Sequence, residues 1–190
     1  ISNINSVSFY DAIEDTCLSL NSIARQLGKE DPKIEFSGGT TLVNKEGVSL
    51  LNNVFSHILR NSVDHGIETP EDRQKKGKDT YGTITIDVTS LDDSFLIHIK
   101  DDGQGLNLQK LQEKGEDIGI LQSGEQPSVD QLASLIFESG ISTKTDVTSI
   151  SGRGVGMDAV KKFIEKEGGS VTIQTEGSIN SGDFINFKTV

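Results

Sequence analysis

A chain of 190 residues, 33% hydrophobic and 25% charged, carries enough apolar side chains for one sizeable core and excludes a disordered or fibrous class. Its formal charge of -11, from 18 Lys plus Arg against 29 Asp plus Glu, repels nucleic acid and anionic membrane in bulk. No apolar run has the length of a membrane span, no signal peptide opens the sequence, and the single Cys17 leaves no disulfide, which fits a reducing cytoplasm.

The one methionine is Met157, so the chain starts without an initiator and is expected to be cut from a longer protein with neighbouring domains. Residues 6–27 read as a helix with Ile13, Leu20, Ile23, Ala24 and Leu27 inward, ended by Gly28. A short strand, KIEF at 33–36, follows. From Gly47 to His65 the apolar residues Val48, Leu51, Phe55, Ile58 and Leu59 recur at helical spacing. On that helix His57, Asn61 and His65 are four residues apart and stack on one face, with Asp64 in the same stripe. The stripe lies beside the apolar face, where its side chains are expected to be half-buried. Any one of the four is most simply a solvated flank, but four together, two of them imidazoles in a chain with 3 His, read as a site. An asparagine carbonyl beside ring nitrogens suits a hard cation held mainly by phosphates and water. A closed zinc site does not fit, because there is no H-E-x-x-H and 1 Cys.

Thr69, Pro70 and Asp72 then spell a helix start, and a short helix to about Lys76 and Gly77 is predicted. Ile84, Ile86 and Val88 alternate, DDS makes a turn, and Phe95, Ile97 and Ile99 alternate again, which is a hairpin with one buried face. Asp101 continues that alternation, so its carboxylate emerges on the core side at the strand end, just before Gly103 and Gly105. A carboxylate there is expensive without a donor, although DDGQG taken alone also reads as an acidic turn. Residues 107–150 are polar and glycine-rich, with one helix from Val129 to Phe137 opened by a capping box at 128–131. In SGRGVGMDAVKKFIEKEGG, Gly152, Gly154 and Gly156 alternate before a helix with Val160, Phe163 and Ile164 inward, closed by Gly168 and Gly169. Glycines at the mouth of a helix let backbone N–H groups reach phosphate oxygens, where the helix dipole also favours negative charge. The run is neither a Walker A sequence nor the dinucleotide fingerprint. SVTIQT and DFINF form a final hairpin.

Three stretches in this order, HILRNSVDHGIE, DDGQGL and SGRGVGMDAVKKFIE, resemble the asparagine box and the two glycine boxes of the ATP-binding domain of chemotaxis-type histidine kinases, the CheA family. LIFESGISTK at 135–144 is similar to the family's F box in the ATP lid, and the wider relationship is to the ATPase superfamily of gyrase, Hsp90, MutL and histidine kinases. The resemblance runs from about Ile23 to the end. It implies an α+β fold, a two-layer α/β sandwich with helices on one face of a mixed sheet and a mobile ATP lid at about 107–155. Residues 1–28 would be an N-terminal helix leading into a catalytic domain at 29–190. By the same resemblance Asp101 accepts a hydrogen bond from the adenine amino group, and Gly103 and Gly105 line the adenine pocket. Asn61 binds Mg2+ with His57 as the second metal and catalytic residue, while Asp64 and His65 stand beside the phosphates. Lys144, Gly152, Arg153, Gly154, Val155 and Gly156 would contact or wrap the phosphates. Lys144 and Arg153 read equally as solvated lid charges.

The implied activity is transfer of the ATP γ-phosphoryl to a histidine on a separate phosphotransfer domain in two-component signalling. The implied partners are that domain, a response regulator, and a receptor or coupling protein reached through other domains, with no nucleic acid and no membrane insertion. An ATP-driven conformational ATPase uses the same boxes but generally places a Glu four residues before the Asn, where this chain has His57. A degenerate nucleotide-binding module is the other alternative. It rests on Ser139 and Ile141 where the F box usually has Pro and Phe, and on Asp183 where a threonine usually follows the glycine. The sequence places two of the three histidines in the site and expects His98 to face solvent on the far side of its strand, so the chain is predicted to lack its own phosphoacceptor.

Overall fold

The computed structural model describes residues 5–141, 156–180 and 184–190. The chain opens with β1 (Ser6–Ser8), where the sequence predicts helix, and passes directly into α1 (Phe9–Gln26). Ser8 is the N-cap, its hydroxyl accepting from the Asp11 N–H at 3.1 Å. β1 pairs antiparallel with β3 (Leu42–Asn44), which passes directly into α2 (Lys45–Asn61). One short ladder thus joins the segments that enter the two helices, whose starts lie at its opposite ends. Farther along they are tied by Asn52, which accepts from the Thr16 hydroxyl at 2.6 Å and donates to the Ala12 carbonyl at 2.8 Å.

The sheet is mixed. β2 (Lys33–Ser37) runs parallel to β4 (Thr83–Ser90), which forms the predicted hairpin with β5 (Phe95–Asp101). β8 (Phe184–Thr189) pairs antiparallel with β5, with the two-residue β6 (Leu106–Asn107) and with β7 (Ile173–Asn180). Ile84, Ile86, Val88 and Ile99 point inward and pack with Phe9, Ile13 and Leu20 of α1 and with Phe55 and Leu59 of α2. Val160 of α6 (Met157–Lys166) joins the same core. The N-terminal helix expected to lead into the domain therefore supplies part of its core. Among the described residues no helix is long and apolar enough to cross a membrane.

A second, smaller cluster gathers Leu108, Leu111, Leu132, Leu135, Ile141 and Ile185. Part of it comes from α4 (Leu108–Asp117), a helix absent from the sequence reading and capped by Asn107, whose Oδ1 accepts from the Lys110 N–H at 2.8 Å. The predicted helix at 129–137 splits into α5 (Val129–Ser134), with its capping box intact, and a 3-10 turn at Leu135–Phe137. The stretch expected as a lid thus begins as packed helix, and residues 142–155 lie outside the described residues. Three residues expected on buried faces are exposed instead. Leu27, Phe95 and Phe163 are left 43%, 40% and 39% exposed. Ile23 is half-buried and packs against the first cluster as expected.

Candidate functional site

The last turn of α2 carries His57 and Asn61, both half-buried as predicted. There the helix changes character, and Ser62–Gly66 form a π-turn in which the Ile67 N–H donates to the Ser62 carbonyl at 2.7 Å. The wider turn alters the rotation per residue, so His65 falls off the stripe and is exposed, whereas Asp64 stays half-buried. Asp64 accepts from Arg60 Nε at 3.4 Å. Lys29, arriving just after α1, closes the turn from outside by donating to the Val63 and Asp64 carbonyls at 2.6 and 3.0 Å. Such carbonyls at a helix end need donors, and a cation is favoured there.

Across from the π-turn stands Asp101 at the end of β5. The Ser62 hydroxyl donates to its carboxylate, and so does the Gly103 N–H, at 3.0 Å. A strip of its surface stays exposed, yet burial dominates and pushes the carboxyl up from its ordinary value, offset by these two donors and reinforced by Asp102 and Glu68. The fit is too close for side chains. A Cβ on Gly66 would lie 2.8 Å from Asp101 Oδ1, and one on Gly103 would lie 2.1 Å from the Gly66 carbonyl oxygen. The Gln104 N–H donates to that same Gly66 carbonyl at 2.8 Å, and Gln104 Nε2 donates to the His65 carbonyl at 2.8 Å. Gly105 takes φ 83°, which only glycine tolerates well, and lies against the Ile185 carbonyl.

The arrangement joins two segments far apart in sequence. Asp101, Gly103 and Gly105 meet Ser62 and Gly66, and the two latter were missed by the sequence reading. No spacing signal announces a contact across some forty residues. What the site offers is a fixed carboxylate acceptor in a half-closed corner, with the Asn61 amide and His57 imidazole on the adjoining helix turn. Burial and then the Arg60 charge hold the His57 pKa below its ordinary value, so the ring is neutral near pH 7. Among the described residues no three His, Cys, Asp or Glu side chains converge closely enough to hold a metal ion. Gly156 is the extended N-cap of α6 and has no side-chain cap. Lys144, Gly152, Arg153, Gly154, Val155 and Asp183 lie outside the described residues. The changed F-box positions are filled: Ile141 is 2% exposed within the second cluster, and the Ser139 hydroxyl donates to Asp158 at 3.0 Å.

The model of the histidine kinase-, DNA gyrase B- and HSP90-like ATPase family matches residues 47–189. The chemotaxis protein CheA of Bacillus subtilis is 39% identical over 165 residues, 83% of this chain and 25% of that protein. The protein of the same name from Salmonella typhimurium is 36% identical over 157 residues, 83% of this chain and 23% of that protein. The chain therefore spans about a quarter of the length of these relatives. Among solved structures, the mycobacterial sensor histidine kinase MprB superposes with a TM-score of 0.55 at 16% identity, covering 97% of this chain and 95% of that one. The catalytic domain of histidine kinase ThkA superposes at 0.52 and 14% identity, covering 97% and 92%. These two likenesses establish the fold, helices packed on a mixed sheet. The chain belongs to the histidine kinase-, DNA gyrase B- and HSP90-like ATPase family, and within it is a CheA-like ATP-binding catalytic domain.

Proposed function

We propose that this domain binds Mg·ATP and passes the γ-phosphoryl to a histidine on a separate phosphotransfer domain, from which a response regulator takes it. A receptor or coupling protein would act through other domains. The observation that carries the reading is the Asp101 carboxylate, fixed by the Ser62 hydroxyl and Gly103 N–H in a corner that Gly66 and Gly103 allow to close around it. A carboxylate that spends its buried lone pairs on two donors still presents acceptor capacity, which the adenine amino group satisfies. Gly103 and Gly105 would line the base, and Asp64 and His65 would stand beside the phosphates. Gly156, with Lys144, Gly152, Arg153, Gly154 and Val155, would supply N–H groups and charge to the phosphate tail.

A magnesium ion fits the donors present. Asn61 offers a half-exposed carbonyl oxygen and His57 a neutral ring, few enough ligands that phosphate and water oxygens would complete the shell, as this small hard cation prefers. When bound, the ion neutralises charge on the phosphates. The chain's own residues do the rest by holding the base at Asp101 and the tail near Asn61, so that the acceptor nitrogen can attack the γ-phosphorus in line as the bond to ADP breaks.

The test is labelled ATP given to the chain alone and with a separate histidine phosphotransfer domain. Acid-labile label is expected on that domain and none on this chain. In this reading His57 and His65 would flank the phosphates, and His98 is half-buried in the sheet opposite Asp87 rather than fully solvent-facing as the sequence suggests. Stable phosphohistidine on the chain alone overturns the reading.

A further inference from the structure

Beside the proposed base pocket lies a network of charges that the phosphoryl-transfer reading does not use. Arg73 of α3 (Pro70–Lys75) is 0% exposed. It donates through Nη1 to Glu68 at 3.1 Å, through Nη2 to the Asp102 carboxylate at 2.8 Å, and through Nε to the Asp79 carbonyl at 2.7 Å. Glu68 is shared with Lys76 and Lys78, at 2.9 and 3.1 Å. Arg73 Nη1 also donates to the Asp102 carbonyl, at 3.3 Å, and Lys78 reaches the same segment. Its ammonium donates to two successive backbone carbonyls, Asp102 at 2.7 Å and Gly103 at 2.9 Å.

Those carbonyls belong to the two peptide units that build the pocket. The unit joining Asp102 to Gly103 presents its N–H to Asp101 Oδ1, and the unit joining Gly103 to Gln104 presents its N–H to the Gly66 carbonyl. A peptide unit is planar, so gripping its oxygen fixes the direction of its N–H on the opposite edge. A cation on the oxygen also polarises the unit and strengthens the bond its N–H donates. Glycine at 103 is otherwise the position best able to swing. Glu68, itself held by buried Arg73, anchors the ammonium between the two oxygens.

We propose that Lys78 is a positioning residue for the base pocket: by holding the Asp102 and Gly103 carbonyls it orients the two N–H groups that fix Asp101 and Gly66. The proposal rests on the reading of Asp101 as the base acceptor. Lys78 keeps 31% of its side chain exposed and Arg73 still donates to the Asp102 carbonyl, so removing the ammonium leaves the Gly103 carbonyl to water and the variant should fold.

The test is calorimetric titration of adenosine and of ADP into the wild-type chain, Lys78→Met and Asp101→Asn, with amide NMR of the first two. For Lys78→Met, adenosine and ADP are expected to lose affinity alike, about three- to tenfold, which is the scale of one or two polar contacts. The salt dependence of ADP binding should be unchanged, and the Gly103 and Gln104 amide protons should move upfield. Lys78→Gln, shorter and neutral, should show the same losses and serves if the Met variant melts early. A loss confined to ADP with a weaker salt dependence would make Lys78 a direct phosphate contact and overturn the proposal, as would unmoved amide resonances or unchanged adenosine affinity. If Asp101→Asn leaves adenosine binding intact, the base-pocket reading itself fails. If Asp101→Asn weakens adenosine binding and Lys78→Met does not, the positioning proposal alone fails.

Discussion

The two hydrophobic clusters of this domain are built differently. The first joins α1, α2, α6 and the sheet around aromatic side chains, with Phe9 meeting Phe55 edge-on at 5.5 Å and Phe36 at 6.1 Å. The second is aliphatic and small, holding α4, α5 and β8 together through Leu108, Leu111, Leu132, Leu135, Ile141 and Ile185. Asn61, Asp101 and the π-turn stand on the first cluster, and the segment leading to residue 142 stands on the second. The Asp101 corner thus stands on the larger cluster, where packing is expected to allow less adjustment, and the flank of the proposed nucleotide site stands on the smaller one.

One substitution made in both places breaks or sharpens that contrast. Leu59 is 0% exposed in the first cluster and Leu111 is 7% exposed in the second. The same Leu→Ala change costs least where neighbours can collapse into the space, so Leu59→Ala should cost about 4–5 kcal/mol and Leu111→Ala about 2–3 kcal/mol. Urea unfolding measures both. Hydrogen exchange should show Leu111→Ala speeding amides of α4 and α5 while those of α2 and β4 stay protected. Equal costs, or uniform loss of protection, would mean one cooperative core.

Within the first region, Asp101 as the proposed base acceptor is expected to trade stability for binding. Its pKa is raised by burial, so the stabilising protonated form prevails below the unfolded carboxyl value, roughly 4, and that contribution is lost as pH rises through the folded value. Wherever the carboxyl is ionised, its buried charge therefore works against folding. Asp101→Asn should bind ATP about tenfold or more weakly, since a hydrogen bond to a charged group is worth about 1.5–3 kcal/mol. It should also melt at a higher temperature than wild type at pH 7, by a margin that shrinks as the pH is lowered. Calorimetry and thermal melting against pH read the two effects, and a variant that loses both affinity and stability would show the carboxylate to be mainly structural.

Asn61 tests the phosphate side of the same region. Asn61→Ala should weaken Mg·ATP on the order of tenfold, the scale of one charge-assisted contact, and adenosine hardly at all, because adenosine has no phosphates to bridge. Equal losses for both ligands, tracked by melting temperature, would point to a folding defect in the last turn of α2.

The contrast between regions also explains what the sequence disclosed. Helices and strands of the first cluster announce themselves, because Val48, Phe55, Ile58 and Leu59 or Ile84, Ile86 and Val88 repeat at the period of their element. The inner position of Asp101 followed from the same alternation. α4 escaped because its apolar stripe is reduced to Leu108 and Leu111, and its buried Gly115, pressed against Leu121, reads as a breaker. The roles of Ser62 and Gly66 and the Lys78 grip depend on contacts between segments that no periodicity encodes. The displacement of His65 came from a π-turn that α-helical spacing cannot anticipate.

The smallest expected effect is at His57, where the ring's pKa is lowered first by burial and then by Arg60. A lowered folded value means that the neutral ring contributes stability in full above the unfolded value of about 6.5, and that this contribution is lost as pH falls through the folded value. Between the two values the unfolded chain takes up the proton first, so wild type should lose stability on acidification in that window while His57→Gln declines less. A protonated ring would also repel a cation beside Asn61, so the rate of phosphoryl transfer should fall with an inflection below the ordinary histidine range. His57→Gln should bind ATP within about twofold of wild type, because it keeps a polar side chain of similar reach, yet transfer more slowly and without that inflection. Arg60→Gln removes the second cause of the shift and should move the inflection toward neutral pH. NMR titration of the His57 ring in wild type and Arg60→Gln reads the shift directly. A His57 that titrates at the ordinary value in both proteins, with the acid inflection of transfer retained in His57→Gln, would assign the pH dependence to another group and remove His57 from the metal side of the site.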